Sequence, residues 1–108
     1  MILGKVTGQV ISTQKDHGLS GFKLLIVQDV KLADLTPSAS YIVAVDAVGA
    51  GIGEYVLTVS GSSARMCAGL GDKPVDCTIV GIVDTVQLEG RTIYSKREQS
   101  APVAAAAK

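Results

Sequence analysis

The sequence has no tryptophan, one phenylalanine and three tyrosines in 108 residues. A barrel that binds nucleic acid needs exposed aromatic platforms and a basic groove. Scarce rings and a formal net charge of zero, from ten acidic and ten basic side chains, supply neither. Balanced charge also gives no built-in attraction to anionic membranes. It leaves little self-repulsion, so association between like chains is easy. No apolar run approaches the roughly 18 residues that a membrane-spanning helix requires. The N-terminal stretch MILGKVTG has neither a charged leader nor a cleavable apolar run, so the expectation is the first strand of a cytoplasmic protein. The single histidine, His17, lies in a loop-like stretch, QKDHGLSG, with no partner from which a nucleophile, base and orienting group could be assembled. The two cysteines, Cys67 and Cys77, fit neither a zinc spacing nor a redox pair and read as reduced structural thiols. No catalytic residue, metal, cofactor or small-molecule substrate is therefore expected.

What is abundant is valine, isoleucine, leucine and alanine, within a hydrophobic fraction of 47%. Valine and isoleucine are stiff at χ1 and favour strands. From Met1 to Thr13 apolar and polar residues alternate, as in a half-buried strand, with Gly4 and Gly8 marking a bend or a close backbone approach. Phe22 opens a second strand in which Leu24–Val27 shows no alternation, so both of its faces are expected to be covered, one by a neighbouring chain or an overlying segment. The stretch KLADLTPSAS is a connection, 41–48 a third strand and 55–60 a fourth. Ser62 or Ser63 caps a short helix ahead of Ala64–Cys67, stopped by Gly69. A long strand over 78–88, a turn at Glu89–Gly90 and a short strand over 91–96 form a hairpin. The expected fold is all-β: a small closed five-stranded barrel of the oligonucleotide-binding type with one short helix, since so small a sheet must close to protect its edges. It forms one domain over 1–96, followed by a flexible tail over 97–108.

The stretch VGAGIGEYV, from Val48 to Val56, raises the question of phosphate binding. A dinucleotide loop is G-x-G-x-x-G between a strand and a helix, whose N-terminus faces the pyrophosphate. Here Gly49, Gly51 and Gly53 are followed by Glu54 where the last glycine should stand, and then by the strand-like YVLTV. The Gly-Lys-Ser/Thr ending of a P-loop is also absent. The loop is instead a strand connection, with glycines for positive φ or for the close approach of a neighbouring backbone.

The stretch DAVGAGIGEYVLTVSGSSAR, 46–65, resembles the signature of the bacterial microcompartment vertex proteins, the small pentameric shell proteins of carboxysomes and ethanolamine-utilisation compartments. MILGKVTGQVIST resembles that family's first strand. KDHGLSGFKLLIVQ follows its pattern at Lys15, Leu19, Gly21, Lys23, Leu24, Leu25, Val27 and Gln28, and PVDCTIVGIVDTVQLEG resembles its last long strand at Asp76 and Gly81–Asp84. The likeness spans about residues 1–94. It implies a cyclic homopentamer that caps the five-fold vertices of a polyhedral shell, with further copies of itself and hexameric shell proteins as partners. Such a ring is built from head-to-tail contacts, so each subunit carries two different adhesive surfaces. Asp46, Gly49, Gly51, Gly53, Glu54, Arg65, Leu25 and Val27 are the expected interface residues, with Arg65 pairing Glu54 or Asp46 across the boundary. Gly51, Ser62 and Ser63 are the candidates to line an axial opening. The alternative is a nucleic-acid or small-ligand binding module on the same barrel.

Overall fold

The first strand, β1 (Ile2–Val10), turns Val6 into the interior at 0% exposure and Leu3 toward the opposite face, as its alternation requires. The computed structural model describes residues 1–12, 21–61 and 76–99. β1 is followed by β2 (Leu24–Val30), β3 (Pro37–Asp46), β4 (Tyr55–Ser60) and β5 (Cys77–Ile82). These close into a barrel in the order β1-β2-β3-β5-β4, with β4 pairing back on β1. All seams are antiparallel except β3–β5, a short parallel contact at Val45–Thr78 and Asp46–Ile79. A five-stranded barrel with this order is the oligonucleotide-binding arrangement expected from the sequence. The expected helix after Ser62 or Ser63 lies outside the described residues.

The interior is small and aliphatic. Val6, Leu25, Val27, Ala44, Ala50, Val56, Cys77 and Ile79 form one buried cluster. Ala50 belongs to the glycine loop, so that loop plugs the barrel as well as connecting β3 to β4. Close packing shows most clearly at Gly4. A Cβ there would sit 2.5 Å from Val27 Cγ1 and 2.9 Å from the Gln28 carbonyl oxygen, so β1 and β2 approach where only glycine fits.

Two expectations give way, and a third is refined. β3 starts at Pro37, within the stretch read as a connection, because proline at the first residue of a strand forfeits no ladder hydrogen bond. The long strand expected over 78–88 breaks after Ile82. Val83 N donates to Tyr55 O at 2.8 Å, and the chain leaves the barrel to form the separate hairpin β6 (Thr85–Leu88) and β7 (Arg91–Ser95). Its turn residues, Glu89 and Gly90, take φ values of 50° and 78°, the two positive values of a type I′ hairpin turn. Finally, within one chain the strand covered on both faces is β4, and the outer face of β2 is left open to a neighbouring chain. Val56 and Thr58 point into the barrel at 0% exposure, while Tyr55 on the other face joins Leu3, Leu35 and Tyr94 in a second cluster that carries the hairpin. Tyr55 and Tyr94 meet edge-to-face with centroids 4.5 Å apart, and Lys5 Nζ lies 5.5 Å from the Tyr55 centroid. β2 alternates instead: Leu25 and Val27 face the core, whereas Leu24, Ile26 and Gln28 are half-buried on the outside. One helical turn, α1 (Lys96–Gln99), follows β7.

The Gly4 contact generates a stability prediction. Gly4→Ala forces its methyl against Val27 and a β2 carbonyl, and is expected to destabilise the fold by about 1–3 kcal/mol. Gly8→Ala, whose methyl would meet Ile26 Cδ1 at 3.4 Å, is expected to cost less. Urea unfolding of the two variants compares them, and equal stability of Gly4→Ala and the parent would contradict the packing argument.

Candidate assembly surfaces

β3 ends at Asp46, whose side chain is only 2% exposed. One carboxylate oxygen, Oδ1, accepts the backbone N–H groups of Val48 (3.1 Å), Gly49 (3.0 Å) and Ala50 (3.1 Å). The other, Oδ2, lies 3.4 Å from Lys23 Nζ, and the same ammonium donates to the Ala50 carbonyl at 2.7 Å. Consecutive N–H groups converging on one point form an anion-binding nest. In this chain the nest is filled by the chain's own carboxylate. The second half of the loop is built alike. Gly51 N donates to Glu54 Oε1 at 2.7 Å, and Glu54 N donates to the Gly51 carbonyl at 3.2 Å. Gly53, at φ 94°, occupies the turn position that demands a positive φ. Gly53 N and Glu54 O then pair with Val6, at 2.8 and 2.9 Å, and stitch the loop to β1. The question of a phosphate loop is thus answered by geometry as well as by motif: both ends of the loop are satisfied by carboxylates from within.

The glycines serve conformation. Gly49 (φ 82°) and Gly53 have open space around an added Cβ, so nothing among the described residues crowds them. The close approach expected of a glycine occurs at Gly4. Beyond its anchors the loop presents Val48 and Ile52 to solvent, at 40% and 65% exposure.

Glu54 Oε2 is paired with Lys96, which joins the start of β4 to the residue after β7. The Lys96 ammonium, and then the Gly51 N–H, hold the Glu54 carboxyl below its ordinary value; Glu54 in turn raises Lys96. Burial is the first cause raising Tyr55, Tyr94 and Cys77, so the thiol of Cys77 is disfavoured as a thiolate.

Of the expected interface residues, the structure brings Asp46, Gly49, Gly51, Gly53 and Glu54 together in one loop. Leu25 and Val27 are corrected: at 1% and 0% exposure they are barrel core and present nothing to a neighbour. Arg65, Ser62 and Ser63 lie outside the described residues. The lysine partners, Lys23 and Lys96, were missed. The signal for Lys23 was available, because pairing Leu24 with Val45 brings Lys23 beside Asp46, whose N–H donates to the Lys23 carbonyl at 3.0 Å. Also missed was the outer face of β2 and β3. There the outward neighbours Ile26 and Val43, flanked by Tyr41, leave Val43 and Tyr41 at 50% and 60% exposure.

A family model described as "Ethanolamine utilisation protein EutN/carboxysome" matches residues 1–84. The chain is 44% identical over 99 residues to the carboxysome shell vertex protein CcmL of Gloeobacter violaceus, covering 92% of this chain and 98% of that one. It is 45% identical over 96 residues to the bacterial microcompartment shell vertex protein EutN of Escherichia coli, covering 89% and 100%. Among solved structures, the GrpN pentameric microcompartment shell protein from Rhodospirillum rubrum superposes with a TM-score of 0.74 at 49% identity, covering 82% of this chain and 99% of that one.

Removing the Asp46 carboxylate leaves three N–H donors without their acceptor and takes the ion-pair partner from the Lys23 ammonium. Asp46→Ala is expected to lower unfolding stability by about 2–4 kcal/mol, and Asp46→Asn by less, in chemical denaturation. The Glu54 pair sets a pH dependence. A carboxyl lowered by folding contributes fully above its unfolded value, near 4.5, and loses that contribution as pH falls through its lower folded value. Lys96, raised by folding, contributes fully below its ordinary 10.5 and loses this as pH rises through its higher folded value. The melting temperature is therefore expected to fall in acid below about pH 4.5, and Glu54→Gln to remove part of that fall; an identical acid limb in both proteins would contradict the assignment.

Proposed function

We propose, from the premise that the chain belongs to this EutN/carboxysome family, that it is a structural protein: a homopentamer that caps the five-fold vertices of a bacterial microcompartment shell in the cytoplasm. Its partners are its own copies and the hexameric shell proteins whose flat layer it closes. The observation that carries the reading is the likeness, over most of the chain, to a shell protein solved as a pentamer. The relatives are named for a place in a shell and not for a reaction, which supports a non-enzymatic role. The shell domain is 1–96 and the tail 97–108 is additional to it.

Assembly physics supports the same reading. A five-fold ring joins two different surfaces of each subunit. The glycine loop, held rigid by Asp46 and Glu54 and shaped by Gly49, Gly51 and Gly53, is one candidate contact. Of the two carboxylates proposed as partners for Arg65 of a neighbouring copy, Glu54 is the accessible one, since its side chain is 25% exposed against 2% for Asp46. Gly51, Ser62 and Ser63 are the proposed lining of an axial opening. The rival nucleic-acid reading is disfavoured because only Tyr41 of the aromatic residues is exposed, and a single ring makes a poor stacking platform.

Native mass spectrometry of the purified chain is expected to show a five-chain particle. Co-expression with hexameric shell proteins is expected to give closed shells, and omission of this chain open or tubular layers. A monodisperse monomer at high concentration would overturn the proposal.

A further inference from the structure

The loop between β3 and β4 is held at two points that answer to different parts of the molecule. Its first half closes on Asp46 Oδ1, which accepts the N–H groups of Val48, Gly49 and Ala50. That carboxylate is 2% exposed, and its ion-pair partner Lys23 directly precedes β2, so this half is anchored within the barrel. The tip of the loop, Gly51 and Ile52, closes instead on Glu54 Oε1, which accepts the Gly51 N–H at 2.7 Å. Glu54 gives its other oxygen, Oε2, to Lys96, the residue that follows the β6–β7 hairpin. One carboxylate thus joins the loop tip to an element outside the barrel sheet.

We infer that Lys96 is a positioning residue for the loop tip: it straps Glu54 into the rotamer that caps Gly51, so the hairpin and chain end set the order of the tip while the first half of the loop stays independent of them. The strap acts within one chain and is therefore independent of the pentamer reading. Three observations support it. First, packing delivers Lys96 to Glu54. Tyr55 and Tyr94 meet with centroids 4.5 Å apart. Glu54 is the neighbour of the first ring, and Lys96 lies two residues past the second, where its N–H donates to the Asp84 carbonyl at 2.8 Å. Second, Glu54 gains from a strap and Asp46 does not. The Glu54 side chain is 25% exposed, and a glutamate facing water has rotamer freedom that opposes a fixed contact. A cation on Oε2 removes that freedom and keeps Oε1 aimed at Gly51. Asp46 is already fixed by burial. Third, the tip is not held by packing. Ile52 is 65% exposed, and the nearest atom to a Cβ added at Gly51 is Glu54 Oε1 itself, at 3.6 Å. The strap therefore governs how firmly the apolar Ile52 is presented. Lys96 also lies past residues 1–84, so it belongs to a part of the chain outside the family model.

Amide hydrogen exchange followed by NMR on the full chain tests the strap, with Lys96→Met and Lys96→Arg compared against the parent. Methionine keeps an apolar stem and removes the charge. In Lys96→Met the protection of the Gly51 N–H is expected to fall about two- to fivefold, the span of a half-exposed ion pair, while Val48, Gly49 and Ala50 keep theirs. Lys96→Arg is expected to retain the protection. Raising salt from about 0.1 M to about 1 M shortens the screening length from about 10 Å to about 3 Å. It is expected to lower Gly51 protection in the parent but not in Lys96→Met. Should Lys96→Met fail to fold, the salt series on the parent decides, because the half-exposed Glu54 pair and the buried Asp46 contacts respond differently. Unchanged Gly51 protection in Lys96→Met, an equal loss at all four amides, or a parent in which salt moves none of them would overturn the strap.

Discussion

The Asp46 carboxylate organises one end of the barrel. It gathers three loop amides on one oxygen and an ammonium from the β2 side on the other, and in doing so sets Ala50 into the core. A connection with so many glycines has high conformational entropy when unfolded. A buried anion whose hydrogen bonds are satisfied inside the loop offsets that entropy without side-chain bulk. The same arrangement explains why a glycine-rich stretch need not bind an anion from solution. Its amides already have one, and an incoming phosphate would have to displace a carboxylate that is almost fully buried.

A second organising feature is the sharing of β4 between two apolar clusters. Its inward side chains complete the barrel, and its outward tyrosine supports the hairpin through Tyr94. The Glu54–Lys96 pair and the Val83–Tyr55 backbone bond fasten the same two bodies at their edges, and the Lys96–Asp84 backbone bond closes the base of the hairpin. The hairpin is thus positioned relative to the barrel by packing, by charge and by backbone bonds at once, and the groove between them has a defined shape.

Much of this was legible in the amino-acid order. Period-two alternation located β1, and Glu54 in place of a glycine, followed by β-branched residues, identified a strand connection. Turn chemistry at Glu89–Gly90 located the hairpin. What was not legible has a common cause, which is that burial on a strand depends on elements distant in sequence. Leu24–Val27 and Tyr55–Val59 are both apolar runs, and nothing local says that Tyr94 returns to cover the second and leaves the first half-open. The lysine partners of Asp46 and Glu54 depend on strand register in the same way. Pro37 misled because its usual role in a connection is also compatible with the first position of a strand.

Consider, finally, the shared strand as a mechanical element. A hairpin joined to a barrel by a loose linker would swing, and any contact it made would leave the angle between adjacent subunits free. Here peeling the hairpin away would uncover Tyr55 and Leu3 on the barrel's outer wall. The two bodies are therefore held together by one shared apolar cluster. In a closed shell the slope between neighbouring units is the quantity that decides whether the surface bends or stays flat, and under the proposed assembly a unit without play would hold that slope constant.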